Sequence, residues 1–485
     1  MTQAESSPAK KFVVDFVDRN AGALARLGDS IFYFAELGMQ EHETSALMSE
    51  LLANAGFEVT RGISGFPTAF LATCGSGDPV IAMHTEFDAN PDNSQQTGVA
   101  ERRAIVEGAP GHCEGHNVNA AVLVAAALAV KGAMDAYGLK GTLKIFGAPA
   151  EEQLLSRPYF VRDGFFDDVD VALHDHISHQ FKTDYGLIQS AMVSATFTFR
   201  GESAHAAMAP WKARDALDAV VLMDVGMAQF REHMEPGMTA HRVITHGGDQ
   251  PNVIPARASV WWYFRHPTAE GSRRLFERAR KIAEGAALMA ACELEVEVLS
   301  AVWPVRGNQA LADVIQRNIE AIGMPSWSDE EHALARELQS KAQVKESGLA
   351  AGVTPLRGEA TQIAASNDSG DVSWVVPMGR LWFPSNIPNI GFHHWAAGVS
   401  LAMSIAHKGG VAGAKALAAT AVDLLSDPAL VERAKATFKD EIGEVVYRPL
   451  LPAEQKPPLE LNRKMMETFR PAMREHYVKE KPEFV

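Results

Sequence analysis

The longest apolar run of the chain, Ala120–Val130, is the feature that most constrains its fold. As a helix, its eleven residues would span about 16 Å, roughly half of the 30 Å of a membrane's hydrocarbon layer. The run therefore predicts a helix buried in a protein core. It follows the segment 111–117, in which Cys113, Glu114 and His116 can each bind a divalent cation. Taken alone, the segment is equally compatible with a polar loop that binds nothing.

Short apolar strands and helices alternate along the first part of the chain. Residues 12–57 have helical spacing of apolar residues, and a short helix is predicted near Tyr159. The predicted strands are Ala69–Thr73, Val80–His84, Thr142–Gly147 and Val169–Leu173. Short, continuously apolar strands with helices between them are typical of a mainly parallel sheet that helices cover on both faces.

The pattern changes near residue 190. Apolar and polar residues alternate strictly in Val193–Arg200, which predicts a half-exposed antiparallel strand. More predicted elements follow: strands His241–Thr245, Ala256–Arg265 and Glu293–Leu299, and helices Asp215–Phe230, with Asp215 as N-cap, and Arg273–Met289. We therefore predict an α/β protein with a discontinuous catalytic domain, residues 1–190 and 303–485, and an inserted two-layer α+β domain, residues 191–302.

Beyond Pro304 the first domain is expected to resume. Helices are predicted near residues 309–322, 328–342 and 411–425, and a loop at residues 347–365. The proline-rich, charged tail after Pro449 is expected to lie along the surface.

Charge and cysteine usage limit the classes of function. A net charge of −15 argues against a general nucleic-acid-binding protein, which needs a basic surface. The three cysteines, Cys74, Cys113 and Cys292, are scattered and odd in number, which favours a reducing compartment. The first twelve residues, Met1–Phe12, contain no apolar stretch of the signal-peptide type. We expect a cytoplasmic protein that binds a small molecule, and neither nucleic acid nor a membrane.

Four more groups of potential metal ligands lie far apart in the sequence. They are His84-Thr85-Glu86, Glu151-Glu152, His174-Asp175-His176 and His393-His394. The first three groups coincide with the ends of predicted strands or follow them. Because sites in open α/β sheets gather beyond the carboxyl ends of the strands, we expect these groups to converge. Each of them alone is also compatible with a solvated polar loop.

The order of these motifs resembles a known family. His-x-acid, His-Cys-Glu-Gly-His-Asn, Pro-x-Glu-Glu, Ser-Ala-His-Ala, Pro-Asn-Val and a late histidine are similar to motifs of the metal-dependent amidohydrolases. That family includes aminoacylases, carboxypeptidase G and auxin-conjugate hydrolases. Further segments resemble its branch of aminobenzoyl-glutamate hydrolases: Gly164–Asp170, Ser203–Ala207, Ala216–Val220, Gly370–Trp374 and Ser404–Gly409. The resemblance extends over nearly the whole chain.

The resemblance implies a role for each matching position in the catalytic domain. Glu151 falls at the position of the family's general base. The positions of metal ligands are occupied by His116, Glu152, His176 and His393. The resemblance therefore implies one or two bound divalent ions, manganese or zinc.

The inserted domain corresponds to the family's lid and dimerisation domain, which implies a homodimer or a larger homo-oligomer. His205 and Asn252 fall where relatives stabilise the oxyanion, often across the dimer interface. Arg265 falls in a strand where relatives bind a carboxylate of the substrate.

Two positions depart from close relatives. Where they have a cysteine this chain has Glu114, with its own Cys113 one residue earlier, and they lack a histidine at position 84. More distant branches carry a carboxylate and a His-x-Asp there, so His84 and Glu114 are predicted as metal ligands, with Cys113 as the alternative to Glu114. A carboxylate in place of a thiolate favours manganese or similar ions over zinc.

The expected activity is hydrolysis of the amide bond of an N-acyl amino acid or an aminobenzoyl-glutamate-like conjugate. Two alternatives stay open at this point. One is hydrolytic removal of an aromatic amino group on the same fold, and the other is a non-catalytic partner subunit of a hydrolase.

Overall fold

The computed structural model describes residues 7–485; residues 1–6, half of the polar stretch Met1–Phe12, lie outside the described part. The helices are α1 Pro8–Arg19, α2 Ala21–Phe34, α3 His42–Asn54, α4 His116–Tyr137, α5 Ser156–Arg162, α6 Ala216–Phe230, α7 Ala269–Met289, α8 Gln309–Ile322, α9 Asp329–Lys341, α10 Trp395–Gly398, α11 Ser404–Ser426, α12 Pro428–Ile442 and α13 Arg463–Met473. The strands are β1 Glu58–Arg61, β2 Phe70–Ser76, β3 Val80–Glu86, β4 Gly141–Ala148, β5 Val171–Ser178, β6 Lys182–Asp184, β7 Gly186–Leu187, β8 Ala191–Arg200, β9 Thr239–His246, β10 Arg257–His266, β11 Glu293–Val302, β12 Arg306–Gly307 and β13 Met378–Pro384.

The large sheet has the strand order β1-β2-β4-β3-β5-β13-β6. Its middle strands, β4, β3, β5 and β13, are parallel to one another. Antiparallel pairs form both edges, β1 with β2, β2 with β4, and β13 with β6. The predicted α/β fold is confirmed. The parallel strands form the middle of the sheet, where the site residues lie.

Strand β3 shows how the sheet separates two cores. Ile81 and Met83 belong to one hydrophobic cluster, while Val80 and Ala82 belong to another, because successive side chains of a strand point to opposite faces. The first cluster includes α4 and α11, which pack on each other and on the sheet. The second cluster includes Phe160 of α5 and continues into the inserted domain.

Helix α4 contains the apolar run identified in the sequence. Its length and composition would allow it to cross a membrane, but 89% of its most apolar window is buried inside the protein. This agrees with the predicted core helix.

The inserted region forms its own antiparallel sheet, in the order β11-β8-β10-β9, with α6 and α7 packed against it. The side chain of Asp215 accepts a hydrogen bond of 2.8 Å from the backbone N–H of Leu217 and so caps α6, as predicted. We propose that the domain boundaries lie at 190/191 and 302/303, because the sheet begins with β8 at Ala191 and ends with β11 at Val302.

Strand β13 was not predicted from the sequence, although it lies beside β5 in the large sheet. Gly379, Arg380 and Pro384 interrupt its apolar pattern, and Arg380 is fully buried there. Helices α12 and α13 were also missed. The tail was predicted to lie along the surface, but it contains a helix, α13, whose Met466 and Met473 are buried.

Close contact between α11 and β13 predicts a stability difference between two glycine variants. A Cβ at Gly409 would overlap the carbonyl oxygen of Pro384, whereas a Cβ at Gly285 on α7 meets no atom of the described residues within 4 Å. We expect Gly409→Ala to lower the free energy of unfolding by about 1–3 kcal/mol, because overpacking forces the backbone apart. The matched control, Gly285→Ala, should raise it by up to about 1 kcal/mol through helix propensity. Urea unfolding measures both, and equal effects would contradict the packing.

Candidate metal centre

The fold brings four of the distant sequence groups to one edge of the large sheet. Strand β4 ends just before Glu151 and Glu152, and His176 lies near the end of β5. Helix α4 begins at His116, with Glu114 two residues earlier. His393 lies in the loop before α10 and has a φ of +65°, a conformation that residues other than glycine adopt rarely.

Glu114 and His116 are the centre of the cluster. The Nε2 atom of His116 lies 3.4 Å from a carboxylate oxygen of Glu114 and 3.8 Å from one of Glu151. The Nε2 atom of His393 lies 3.0 Å from Glu114 and 3.3 Å from Glu152. Glu114, His116, Glu151 and Glu152 each offer one ligand atom within 4.8 Å of the others. These distances leave the four side chains within reach of one cation.

His176 belongs to a second, overlapping group. Its Nε2 atom lies 3.4 Å from Glu86, and Glu86, His116 and His176 likewise offer atoms within 4.8 Å of one another. The Nδ1 atom of His176 lies 2.9 Å from the carbonyl oxygen of Ile177, which fixes the ring with Nε2 turned to the cluster. Two groups that share His116 have room for more than one ion.

The acidic groups shift the pKa values of the histidines. Hydrogen bonds to Glu114 and Glu152 raise the pKa of His393 to about 10. Burial by itself lowers the pKa of His116, but the carboxylates of Asp88 and Glu114, 3.3 and 3.4 Å from its two ring nitrogens, outweigh burial and raise it well above its usual range. The cluster thus favours positive charge, which is what a divalent cation supplies.

The donor set fits such a cation. Among residues 7–485, the buried atoms His116 Nε2 and Glu152 Oε1 have no hydrogen-bond partner. Buried polar atoms are nearly always paired, so these two atoms indicate a missing ligand. Imidazole nitrogen and carboxylate oxygen are the ligands that zinc and manganese accept.

Glu151 has the surroundings of a proton acceptor. It is buried, and burial, followed by the charge of Glu86, raises its pKa well above the usual range of a glutamate. Its Oε1 atom accepts a hydrogen bond of 2.6 Å from Asn367, which holds the carboxylate in place. Such a carboxylate takes up a proton more readily than an ordinary glutamate does.

Cys113, the alternative to Glu114, belongs to neither of the two groups of ligand atoms. Its thiol donates to the side-chain oxygen of Asn90 at 3.0 Å. Burial, together with the charges of Glu152 and Glu114, raises the pKa of this thiol far above its usual range, so that it stays protonated. A thiol binds metal as the thiolate, and therefore the geometry favours Glu114.

His84 is not part of the cluster, in contrast to the sequence-based prediction. Its Nδ1 atom accepts a hydrogen bond of 3.0 Å from Arg157, and its ring stacks on that of His174 at 4.8 Å. His84 lies two residues before Glu86 on β3, within the sheet rather than at its end. His84 as a ligand stays a prediction, and its buried Nε2 atom has no hydrogen-bond partner among the described residues.

His205 and Asn252 lie on exposed loops of the inserted domain, where Ala206 N–H donates to the carbonyl oxygen of Asn252 at 3.0 Å. Within one chain they do not line the cavity beside the cluster. That cavity has a volume of 220 Å³ and is lined by Glu114, Glu151, His393 and, from the inserted domain, Arg265. One chain therefore brings Arg265 to the site without His205 and Asn252.

Sequence reasoning missed residues that hold the site in place. Asp88 accepts from the backbone N–H of Glu152 at 2.9 Å and lies 3.3 Å from Nδ1 of His116. Arg157 pairs with both Glu86 and Asp368 in a fully buried network. Asp88 lies two residues after Glu86, the last residue of β3, and this pair of acidic residues was a signal for Asp88 in the sequence. Nothing in the local sequence indicated Arg157.

The fold and the site together define a metal-dependent hydrolase. A model of the peptidase dimerisation domain of the M20 family matches residues 189–288, most of the inserted domain. The chain is 33% identical to one of the subunits of p-aminobenzoyl-glutamate hydrolase of Escherichia coli (strain K12), over 92% of this chain and 98% of that protein. The chain belongs to the M20 family of metallopeptidases and amidohydrolases, enzymes that hydrolyse C–N bonds.

Other relatives and solved structures are also similar to this chain over most of its length. The Xaa-Arg dipeptidase of Mus musculus is 29% identical over 91% of this chain and 94% of its own. A dinuclear metal-binding peptidase of the M20 family from Bacillus subtilis superposes with a TM-score of 0.54 at 17% identity, over 84% of this chain and 99% of its own. An aminobenzoyl-glutamate utilization protein from Klebsiella pneumoniae superposes with a TM-score of 0.58 at 16% identity, over 84% and 97%. These structural likenesses confirm the fold.

The positions of Glu114 and Cys113 predict that replacing each by alanine has a different effect on metal affinity. Glu114→Ala removes a carboxylate between His116 and His393 and should weaken metal affinity by at least tenfold. Cys113→Ala removes a thiol that faces Asn90 and should leave the affinity unchanged within about twofold. Metal analysis after dialysis against graded manganese concentrations measures both variants. A loss of metal in Cys113→Ala alone would show that the thiol is the ligand.

Proposed function

We propose that this protein hydrolyses the amide bond of an N-acyl amino acid or an aminobenzoyl-glutamate-like conjugate. The observation that carries the proposal is the position of Glu151, buried with a raised pKa, 3.8 Å from His116 of the cluster. The names of the relatives support the type of substrate: p-aminobenzoyl-glutamate hydrolase and N-acetyldiaminopimelate deacetylase both act on amides.

In the proposed reaction Glu114, His116, Glu152, His176 and His393 hold one or two divalent ions. A cation in this site would lower the pKa of a water from about 15.7 toward about 7 and polarise the substrate carbonyl. Glu151 takes the proton of the attacking water, with Asn367 holding its carboxylate. It then gives that proton to the amine that leaves. The carboxylate-rich set favours manganese over zinc.

Arg265 is proposed to bind a carboxylate of the substrate. It lines the same cavity as Glu151, and its Nε atom is buried with no partner among the described residues. A guanidinium in this condition has donors free for a carboxylate.

The oxyanion is proposed to be stabilised by the partner subunit's His205 and the partner subunit's Asn252 in a homodimer. Their exposure and their absence from the cavity of their own chain support this arrangement. Exposed apolar residues on the edge strand β9, Val243 and Ile244, and on α6, Val221 and Val225, support an interface through the inserted domain. We propose that this dimer works in the cytoplasm.

Removing the general base tests the assignment of Glu151. Glu151→Gln keeps the size of the side chain but cannot accept the proton, so we expect kcat to fall by about 10²–10⁴. The metal content should stay at the wild-type level, because Glu152, Glu114 and the histidines remain. Chromatography of the products of aminobenzoyl-glutamate separates amide cleavage from loss of the aromatic amino group. Wild-type turnover in Glu151→Gln would contradict the mechanism.

Mixing two inactive variants tests whether each site is shared between subunits. Glu151→Gln and His205→Ala homodimers should each be inactive, because each lacks one necessary group in both sites. After exchange of subunits, a heterodimer has one intact site, so a 1:1 mixture should regain about a quarter of wild-type activity. If no activity returns although mass spectrometry shows heterodimers, both residues serve the same chain.

A further inference from the structure

The loop that contains His205 exposes two large apolar side chains. In one chain Met208 is 72% exposed and Trp211 is 77% exposed, and only two residues separate them. Single exposed apolar residues are common, but neighbouring ones of this size form a patch that usually meets another surface. Both residues lie within 189–288, the range that matches the dimerisation domain. We call residues 205–212 the cap loop.

Backbone hydrogen bonds keep the cap loop compact around His205. The backbone N–H of Met208 lies 3.2 Å from both the carbonyl oxygen and the Nδ1 atom of His205. The backbone N–H of Ala207 also donates to this Nδ1 atom, at 3.2 Å. Because Nδ1 accepts, the neutral ring carries its hydrogen on Nε2, where it can be donated to another molecule. Trp211 follows in the short turn Pro210–Lys212. A surface that receives His205 therefore also meets Met208 and Trp211.

The cavity beside the cluster has a matching apolar rim, formed by Phe392 and Ile363. Phe392 is 40% exposed and Ile363 is 51% exposed, and both line the cavity. The ring of Phe392 lies 6.0 Å from that of His176, and the next side chain, His393, is 58% exposed. In one chain the cavity is therefore open to solvent beside the cluster, and apolar surface borders the opening.

We propose that the cap loop of each subunit covers the apolar rim of the partner subunit's cavity. The proposed function already places His205 in that cavity, and both the segment next to His205 and the rim of the cavity expose apolar side chains. Contact between them removes both patches from water, which is favourable in proportion to the apolar area buried. The rim is thus occupied by a second copy of this chain, and each cavity is closed only in the homodimer. The proposal rests on the proposed exchange of His205 between subunits and goes beyond it, because it assigns a role to residues outside the reaction.

Removing the indole of Trp211 should open the cavity without breaking the dimer. We expect Trp211→Ala to raise KM for aminobenzoyl-glutamate by at least about tenfold, because a large apolar side chain no longer covers the bound substrate. Sedimentation should still show a dimer, since Val243 and Ile244 of the proposed interface remain. Tyr137→Ala is the matched control with wild-type KM. Its ring is 46% exposed, and it ends α4, about 30 Å from His116 at the start of that helix.

A cross-link between two single variants tests the contact directly. Trp211→Cys and Phe392→Cys proteins are mixed, allowed to exchange subunits and treated with a short bis-maleimide. We expect a covalent dimer whose tryptic peptides join positions 211 and 392, and no such product from Tyr137→Cys mixed with Phe392→Cys. Met208→Cys provides a second position on the cap loop. The three native cysteines are buried or half-buried, so the wild-type protein gives the background of the reaction.

The outcomes separate this contact from the proposed function. A cross-link between positions 211 and 392 in a protein that hydrolyses no amide supports the contact, while the proposed amide hydrolysis fails. If mixtures of Glu151→Gln and His205→Ala regain activity but neither cap-loop position gives a cross-link, the site is shared and the contact is overturned. In the double variant Trp211→Cys/Phe392→Cys, a cross-link within one chain would show that the cap loop folds over its own cavity. That result, or a wild-type KM in Trp211→Ala, would likewise overturn the contact.

Discussion

Buried carboxylates packed against imidazoles are the constraint on which the rest of this structure depends. Glu114, Glu151 and Glu152 surround His116 within 4 Å, with little solvent to screen their charges. Acidic groups in such a place need positive charge nearby, or they take up protons. The raised pKa values of Glu151 and Glu152, for both of which burial is the largest cause, express that need. A divalent cation would meet that need, and in the proposed reaction Glu151 would then accept a proton.

A second layer of ion pairs holds this cluster in place. Arg157 lies beneath the site, and its guanidinium bridges Glu86 and Asp368 with all three side chains fully buried. Glu86 in turn contacts His174 at 2.9 Å and His176 at 3.4 Å. His84, predicted as a metal ligand from the sequence, accepts a hydrogen bond from Arg157 in this layer.

The sequence predicted the elements whose pattern is local. Continuous apolar strands and the strictly alternating β8 identified both sheets, and the motifs at strand ends identified the cluster. Strand β13 was not predicted because Gly379 and Arg380 interrupt its apolar pattern. Gly379 packs closely against α8 and Arg380 is fully buried, and both facts depend on the tertiary structure. The choice between Cys113 and Glu114 depended on which of two adjacent side chains turns inward. Spacing cannot decide that, whereas the contacts of Glu114 with His116 and His393, and of Cys113 with Asn90, favour Glu114.

Anomalous diffraction from crystals grown with manganese would locate the ions of the proposed metal centre. We expect one or two anomalous peaks within about 2.0–2.3 Å of ligand atoms of Glu114, His116, Glu152, His176 and His393. Glu151 should lie beside the peaks, held by Asn367. A peak bound by Cys113 or between His84 and His174, or no peak at Glu114 and His116, would show that the ions bind elsewhere.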